Sequence, residues 1–193
     1  MEPSNEQPLA LDAPIKVTFN QAMDPLTLEN GFVFLGEGIP VEGNFSWNDD
    51  HTAVTFEPDE LYARNTTYTL SVTKDATAAS GTPLAVEQQF QFSTYGDFNI
   101  VSSEPANGGV KAENDSVRIS FTSPPKKVDN LEDYVSLDPG ISNQGIYIDG
   151  TTLNVSGFFL PESDYTLTIS SELMDTWDQP LGDDFELDRK SVV

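Results

Sequence analysis

Cysteine is missing from all 193 residues. That excludes disulfides, thiolate metal sites and cysteine nucleophiles together. It does not by itself place the chain in the cytosol. Basic residues are scarce: 9 Lys and Arg stand against 32 Asp and Glu, a formal net charge of −23. A surface of that sign repels nucleic acid and anionic lipid, so neither is an expected partner. Residues 1–95 hold 14 acids and 3 bases, and residues 96–193 hold 18 and 6, so the charge is an evenly solvated surface and not a tail. No run reaches the ~18 apolar residues of a membrane helix, which argues against membrane insertion of this stretch. Histidine occurs once, at His51, in a turn beside Asp50. A Ser–His–Asp triad built on it needs a serine from another loop, and nothing marks one. No glycine-rich phosphate loop is present either. Met1-Glu2-Pro3 lacks the basic and apolar regions of a signal peptide and reads as the start of a segment excised from a longer chain.

What the chain does contain is one unit written twice. Ile15, Val17 and Phe19 alternate with Lys16, Thr18 and Asn20, the period-2 pattern of a strand with one buried face. Asp24-Pro25 punctuates its end. Val117, Ile119 and Phe121 repeat the pattern about a hundred residues later, followed by TSPPKKVDNL. Tyr68 to Pro83-Leu84 has the same spacing as Tyr165 to Pro180-Leu181. Length differences fall in middle loops, where they cost little. Around these anchors, the first copy predicts a doubly apolar central strand at Phe32–Leu35 and a hairpin joining Phe45 and Trp47 to Val54 and Phe56. Further strands follow at Tyr68–Val72 and Phe90–Phe92. The second predicts strands at Tyr134–Leu137, Tyr165–Ile169 and Phe185–Leu187, with a hairpin across Asp149-Gly150. About seven short strands per copy, without a long helix, indicate an all-β fold: two tandem β-sandwiches, residues 1–95 and 96–193, with Greek-key connections.

VTFNQAMDPLTL, the TFEP at Thr55–Pro58, LYARNTTYTLSV and GTPLAVEQQFQFST together resemble the bacterial Ig-like domain of the surface-layer type. The resemblance covers residues 10–95. Residues 97–188 look like a more divergent member, keeping Leu160-Pro161 before Tyr165 and DTWDQPL at Asp175–Leu181 but replacing Met-Asp with Pro124-Pro125-Lys126-Lys127. Ala78 stands in the first copy where Asp175 stands in the second. Such domains occur as tandem modules in large exported bacterial proteins, including adhesins and relatives of α2-macroglobulin. The resemblance therefore implies a secreted or cell-surface setting, a spacer or interaction role beside neighbouring domains, and no catalytic activity. Alternative settings are the scaffold of an α2-macroglobulin-like protease trap, or a glycan- or calcium-dependent adhesin binding a cell-surface protein or polysaccharide. The thioester of such a trap needs a cysteine that this chain lacks.

Three residue sets merit weighing. Tyr68 and Tyr165, each at a strand start after a leucine (Leu61, Leu160), fit a tyrosine corner, in which a phenol hydroxyl bonds upstream backbone and pins a crossover. That structural role is preferred over ligand stacking. Trp47 alternates with Phe45 and reads as core or strand, whereas Trp177 lies in a loop and is the better candidate for a ligand contact. Calcium wants six to eight converging oxygens, and no loop-forming D-x-D-x-D-G pattern supplies them. Solvated charge is the favoured reading of the acidic clusters; if an ion binds, Asp175 and Asp178 are the first candidates. No other cofactor is expected.

Overall fold

The computed structural model describes residues 1–4, 7–112 and 116–192. The chain divides into two compact units, Met1–Tyr95 and Gly96–Val193. Both are Ig-like β-sandwiches.

In the first unit, β1 (Ile15–Thr18) pairs with β5 (Ala53–Pro58), which also pairs with β4 (Gly43–Trp47). The opposing sheet is ordered β3 (Ile39–Pro40), β2 (Phe32–Gly36), β6 (Thr67–Val72), β7 (Gln88–Ser93). The chain crosses between sheets after β1, β3 and β5, so each sheet is assembled from strands distant in sequence. Alternation dictates which side chains meet. Ile15 and Val17 are buried on β1, Val54 and Phe56 on β5, and Tyr68, Leu70 and Val72 on β6. Phe56 meets the other sheet through Phe32 (ring centroids 5.4 Å apart) and Phe34 (5.8 Å). Full burial of such side chains stabilises by roughly 1.5–3 kcal/mol each before chain entropy is subtracted.

After the Asp24-Pro25 punctuation, where Leu26–Glu29 reads as one short helical turn, the chain forms the helix α1 (Pro25–Gly31), slightly longer than that turn. Pro25 occupies the first turn, where its missing N–H costs nothing, and the Asp24 carboxylate accepts from Thr27 N at 3.2 Å. Leu28 anchors the helix in the core. β2 lies between β3 and β6, the inner position its composition suggests, but only one of its faces is buried: Phe32 and Phe34 point into the core, while Val33, on the opposite face of the sheet, is 37% exposed. Gly36 faces Tyr68 in the ladder, and a Cβ there would sit 2.4 Å from the Tyr68 ring.

The second unit repeats the frame. One sheet is ordered β12 (Ser142–Asp149), β13 (Thr152–Phe158), β10 (Val117–Phe121), β8 (Ile100–Glu104). The other is ordered β11 (Val135–Asp138), β14 (Asp164–Ile169), β15 (Phe185–Val192), β9 (Gly109–Ala112). A 3-10 turn, Leu131–Asp133, replaces α1 and buries Leu131. Ile146 faces Val155 and Ile148 faces Leu153, but Asp149 belongs to the ladder opposite Thr152. The connection is therefore Gly150-Thr151, with Gly150 taking the positive φ (57°) that a tight link between twisted strands needs. β15 runs on to Val192, well past Leu187, because β9 joins it in parallel register from Arg189 to Val192.

The repeat starts earlier than Ile15. Glu2 bridges Lys16 as Glu104 bridges Arg118, and Leu9 bridges Thr94 as Lys111 pairs with Ser191. In both copies the chain joins one sheet at a glutamate, turns at Pro3 or Pro105, and continues along the other sheet. A proline fits this crossing because it cannot donate to either ladder. The accompanying ion pairs, Lys16–Glu2 at 3.9 Å and Arg118–Glu104 at 3.7 Å, are exposed. Exposed pairs contribute about 0–1 kcal/mol, so the backbone ladder holds these crossings and the charges only adjust them.

Candidate functional site

The sandwich edges and connecting loops carry the residues singled out from the sequence. Ala63 N donates to Tyr68 Oη at 2.8 Å, and Leu160 N donates to Tyr165 Oη at 2.8 Å. Both phenols accept from the amide five residues upstream. Both rings are buried, at 6% and 2% exposure. The preceding leucines are not the packing partners. Leu61 and Leu160 are 56% and 66% exposed, and the residues that seat the corner are Tyr62 and Phe159. Their rings lie 5.0 Å from Tyr68 and 5.1 Å from Tyr165. An aromatic residue six positions before the tyrosine was the readable signal. Tyr62 Oη donates to Ala13 O at 3.0 Å, and burial, assisted by neighbouring Tyr68, pushes its phenol pKa well above the ordinary value.

The Pro-Leu loop of the second unit is organised by Asp175. Its side chain is fully buried and accepts from Ser123 Oγ at 2.8 Å, Trp177 N at 3.0 Å and Gln179 N at 3.0 Å. Asp178 takes a positive φ of 61° and pairs with Lys126. The two carboxylates expected as the first metal candidates are thus engaged separately, one inward and one on a lysine. Among the described residues no group of three or more acidic or histidine side chains converges on a point. Trp177 is half-buried beside this loop. Other acids serve local bonds. Asp184 accepts from Ser171 N at 2.7 Å, which holds its carboxyl below the usual range, and Asp188 accepts from Thr166 Oγ1 at 2.9 Å.

His51 sits in the β4–β5 turn at φ 52°, its ring 5.7 Å from Trp47, and Trp47 Nε1 donates to Glu29 Oε1 at 2.9 Å. In the second unit Arg189 is 3% exposed, with its guanidinium carbon 3.6 Å from the Phe159 ring centroid, a cation–π contact inside the sandwich. No sequence pattern marked it.

A cleft of about 500 Å³ lies at the other end of the first unit's β4–β5 hairpin. The β2–β3 turn and the β5–β6 connection form its walls, and Tyr62 and Tyr68 its floor. Glu37, Glu42, Asp59 and Glu60 surround it. No local sequence pattern marks this cleft, because it depends on which loops the sandwich brings together.

The fold and these loops define a pair of Ig-like β-sandwiches whose polar side chains mostly serve their own backbone. Residues 1–94, nearly the whole span of the first unit, match the family model described as "Bacterial Ig-like domain". No curated protein sequence matches the chain. Solved structures resemble it loosely. A titin A168–A169 structure has 10% identity and TM-score 0.34, covering 96% of this chain and 93% of its own. The Bacteroides ovatus mixed-linkage glucan utilisation protein SGBP-B, solved with a heptasaccharide, has 10% identity and TM-score 0.33, covering 98% and 46%. An L,D-transpeptidase from Mycobacterium smegmatis has 13% identity and TM-score 0.37, covering 49% and 40%. The chain spans less than half of the latter two. Among the described residues no helix is long and apolar enough to cross a membrane.

Proposed function

We propose that this chain is a non-catalytic structural and interaction module of a larger exported or cell-surface bacterial protein. The observation that supports this most is repetition. The same frame is built twice, down to the glutamate–proline crossings and the 2.8 Å phenol bonds, with a separate core in each copy. Repeating a stiff block extends a chain, whereas a catalytic site needs only one. The polar groups that sequence reasoning offered for chemistry serve architecture. Asp175 closes a loop, and Tyr68 and Tyr165 pin crossovers. Calcium has no part in the proposal, because Asp175 already satisfies three donors and Asp178 faces a lysine.

An immunoblot of fractionated source cells with an antibody raised against this segment tests the reading. The expected result is a band much larger than the 21.1 kDa of this chain, in the envelope or secreted fraction. A band of 21.1 kDa confined to the cytosol overturns it.

A further inference from the structure

The cleft of the first unit combines three features that together point to a ligand class. Its rim carries four carboxylates and no basic side chain. Those of Glu37, Glu42 and Glu60 have no partner among the described residues, while Asp59 accepts from Asn44 Nδ2 at 2.6 Å. Two large apolar side chains, Ile39 and Leu61, stand 70% and 56% exposed on the same rim. Leaving both in water forgoes hydrophobic stabilisation that a partner could recover. Finally, the wall holding Ile39 is the Glu37–Pro40 hairpin. The second unit makes the corresponding passage from Asp138 to Ser142 without a strand. The cleft thus belongs to the segment where the two copies differ.

We propose that this cleft binds an extended peptide segment of a partner protein that carries lysine or arginine next to aliphatic side chains. The basic group meets the rim carboxylates, and the aliphatic groups cover Ile39 and Leu61 above the Tyr62 and Tyr68 floor. Strand addition is not the mode here. β3 is two residues long and Pro40 has no N–H to offer a new strand, so recognition runs through side chains in a groove. A volume of about 500 Å³ falls within the ~300–1,000 Å³ of ligand-binding clefts and suits a few residues, not a folded domain. Electrostatic complementarity of this kind is salt-sensitive, because the carboxylates are exposed. The proposal rests on the interaction-module reading and names the site and chemistry of one interaction.

The test pans random phage-displayed heptapeptides against the intact 193-residue chain and measures selected peptides by fluorescence anisotropy. The expected winners carry Lys or Arg beside Leu, Ile or Val and weaken at least tenfold between 50 and 300 mM salt. Binding falls at least tenfold on the double substitution Glu42→Lys with Glu60→Lys, and several-fold on Leu61→Ser. The control Asp49→Lys with Asp50→Lys makes the same charge change in the turn at the opposite end of the β4–β5 hairpin and leaves affinity within twofold. All five positions are exposed, and unaltered thermal unfolding of each variant verifies its fold. Failure to enrich any peptide, winners without a basic–aliphatic pattern, or equal losses from both charge reversals overturns the proposal. None of those results alters the cell-fractionation outcome, so the two readings fail separately.

Discussion

The two units share a backbone and disagree about how to fill it. Ladder registers align them position by position: Ile15 faces Phe56 as Val117 faces Val155, and Phe32 faces Val72 as Val135 faces Ile169. On that basis Phe56 corresponds to Val155, Phe32 to Val135, Phe34 to Leu137, Phe45 to Ile146, and Phe92 to Arg189. The first core is a chain of aromatic contacts, from Phe45 through Phe56 and Phe34 to Tyr68 and Phe92. The second is chiefly aliphatic, with Phe159 under Arg189 and Phe98 stacked on Phe121 at 5.0 Å. Backbone pairing and inward alternation therefore specify this sandwich, and identity of core residues does not, within the limits set by volume and close packing.

Those limits give the largest predicted effects. Phe56→Ala removes a ring that touches both sheets and costs about 3–5 kcal/mol of the first unit's stability. The opposite change at the matching position, Val155→Phe, adds a ring to a filled core and costs about 1–3 kcal/mol. Urea unfolding followed by tryptophan fluorescence separates the units, since Trp47 reports the first and Trp177 the second. A neutral Val155→Phe would mean that the second sandwich has slack and that the comparison of cores is wrong.

The Pro-Leu loops differ more sharply. Ala78 N donates to Thr82 O as Asp175 N donates to Gln179 O, and Ala79 N reaches Ala22 O as Thr176 N reaches Pro124 O. The backbone bonds are shared, yet only the second copy adds a buried carboxylate. Asp175→Ala reproduces the first unit's residue but strands the Ser123 hydroxyl and two amides, at a cost of about 2–4 kcal/mol. Asp175→Asn keeps an acceptor for those amides and costs about 1 kcal/mol. If Asp175→Ala leaves the Trp177-reported transition unmoved, the loop holds itself through its backbone, as the first copy's does.

Where the units agree, the expected effects are smaller and equal. Tyr68→Phe and Tyr165→Phe each remove one phenol–amide bond of 2.8 Å and cost about 1 kcal/mol in their own unit. Costs differing by more than twofold would show that the two corners are not equivalent.

How much of this was readable depended on range. Alternation marked β1, β6, β10 and β14, because each has one face in a core and period 2 is local. Tyr68 and Tyr165 stood out by fixed spacing to Pro-Leu. Phe32–Leu35 was legible as an inner strand but not as one buried on a single face, since an apolar run does not say whether a second layer covers the side on which Val33 lies. Glu2-Pro3 and Glu104-Pro105 went unmatched because the residues around them share little apolar pattern, and their equivalence lies in partner strands. Asp175 looked like a ligand because a sequence cannot say which way a carboxylate turns. The acidic cleft and buried Arg189 are products of tertiary placement alone.

The smallest predicted effect isolates one hydroxyl that the units do not share. Tyr62 occupies the place of Phe159, with its phenol buried and its pKa raised. Unfolding returns that phenol to the ordinary value of about 10, so above that pH the unfolded chain loses a proton that the folded chain keeps. The stabilisation is fully present below pH 10 and is lost as pH rises toward the folded pKa. Stability of the first unit therefore falls with pH in the alkaline range by a component that Phe159 cannot contribute to the second. Tyr62→Phe removes that component and also the bond to Ala13 O, which shows as a pH-independent loss of about 1 kcal/mol. Urea midpoints at pH 8, 10 and 11 for the parent and the variant separate offset from slope. A variant slope equal to the parent's would mean that the Tyr62 phenol ionises as freely in the folded unit as in water.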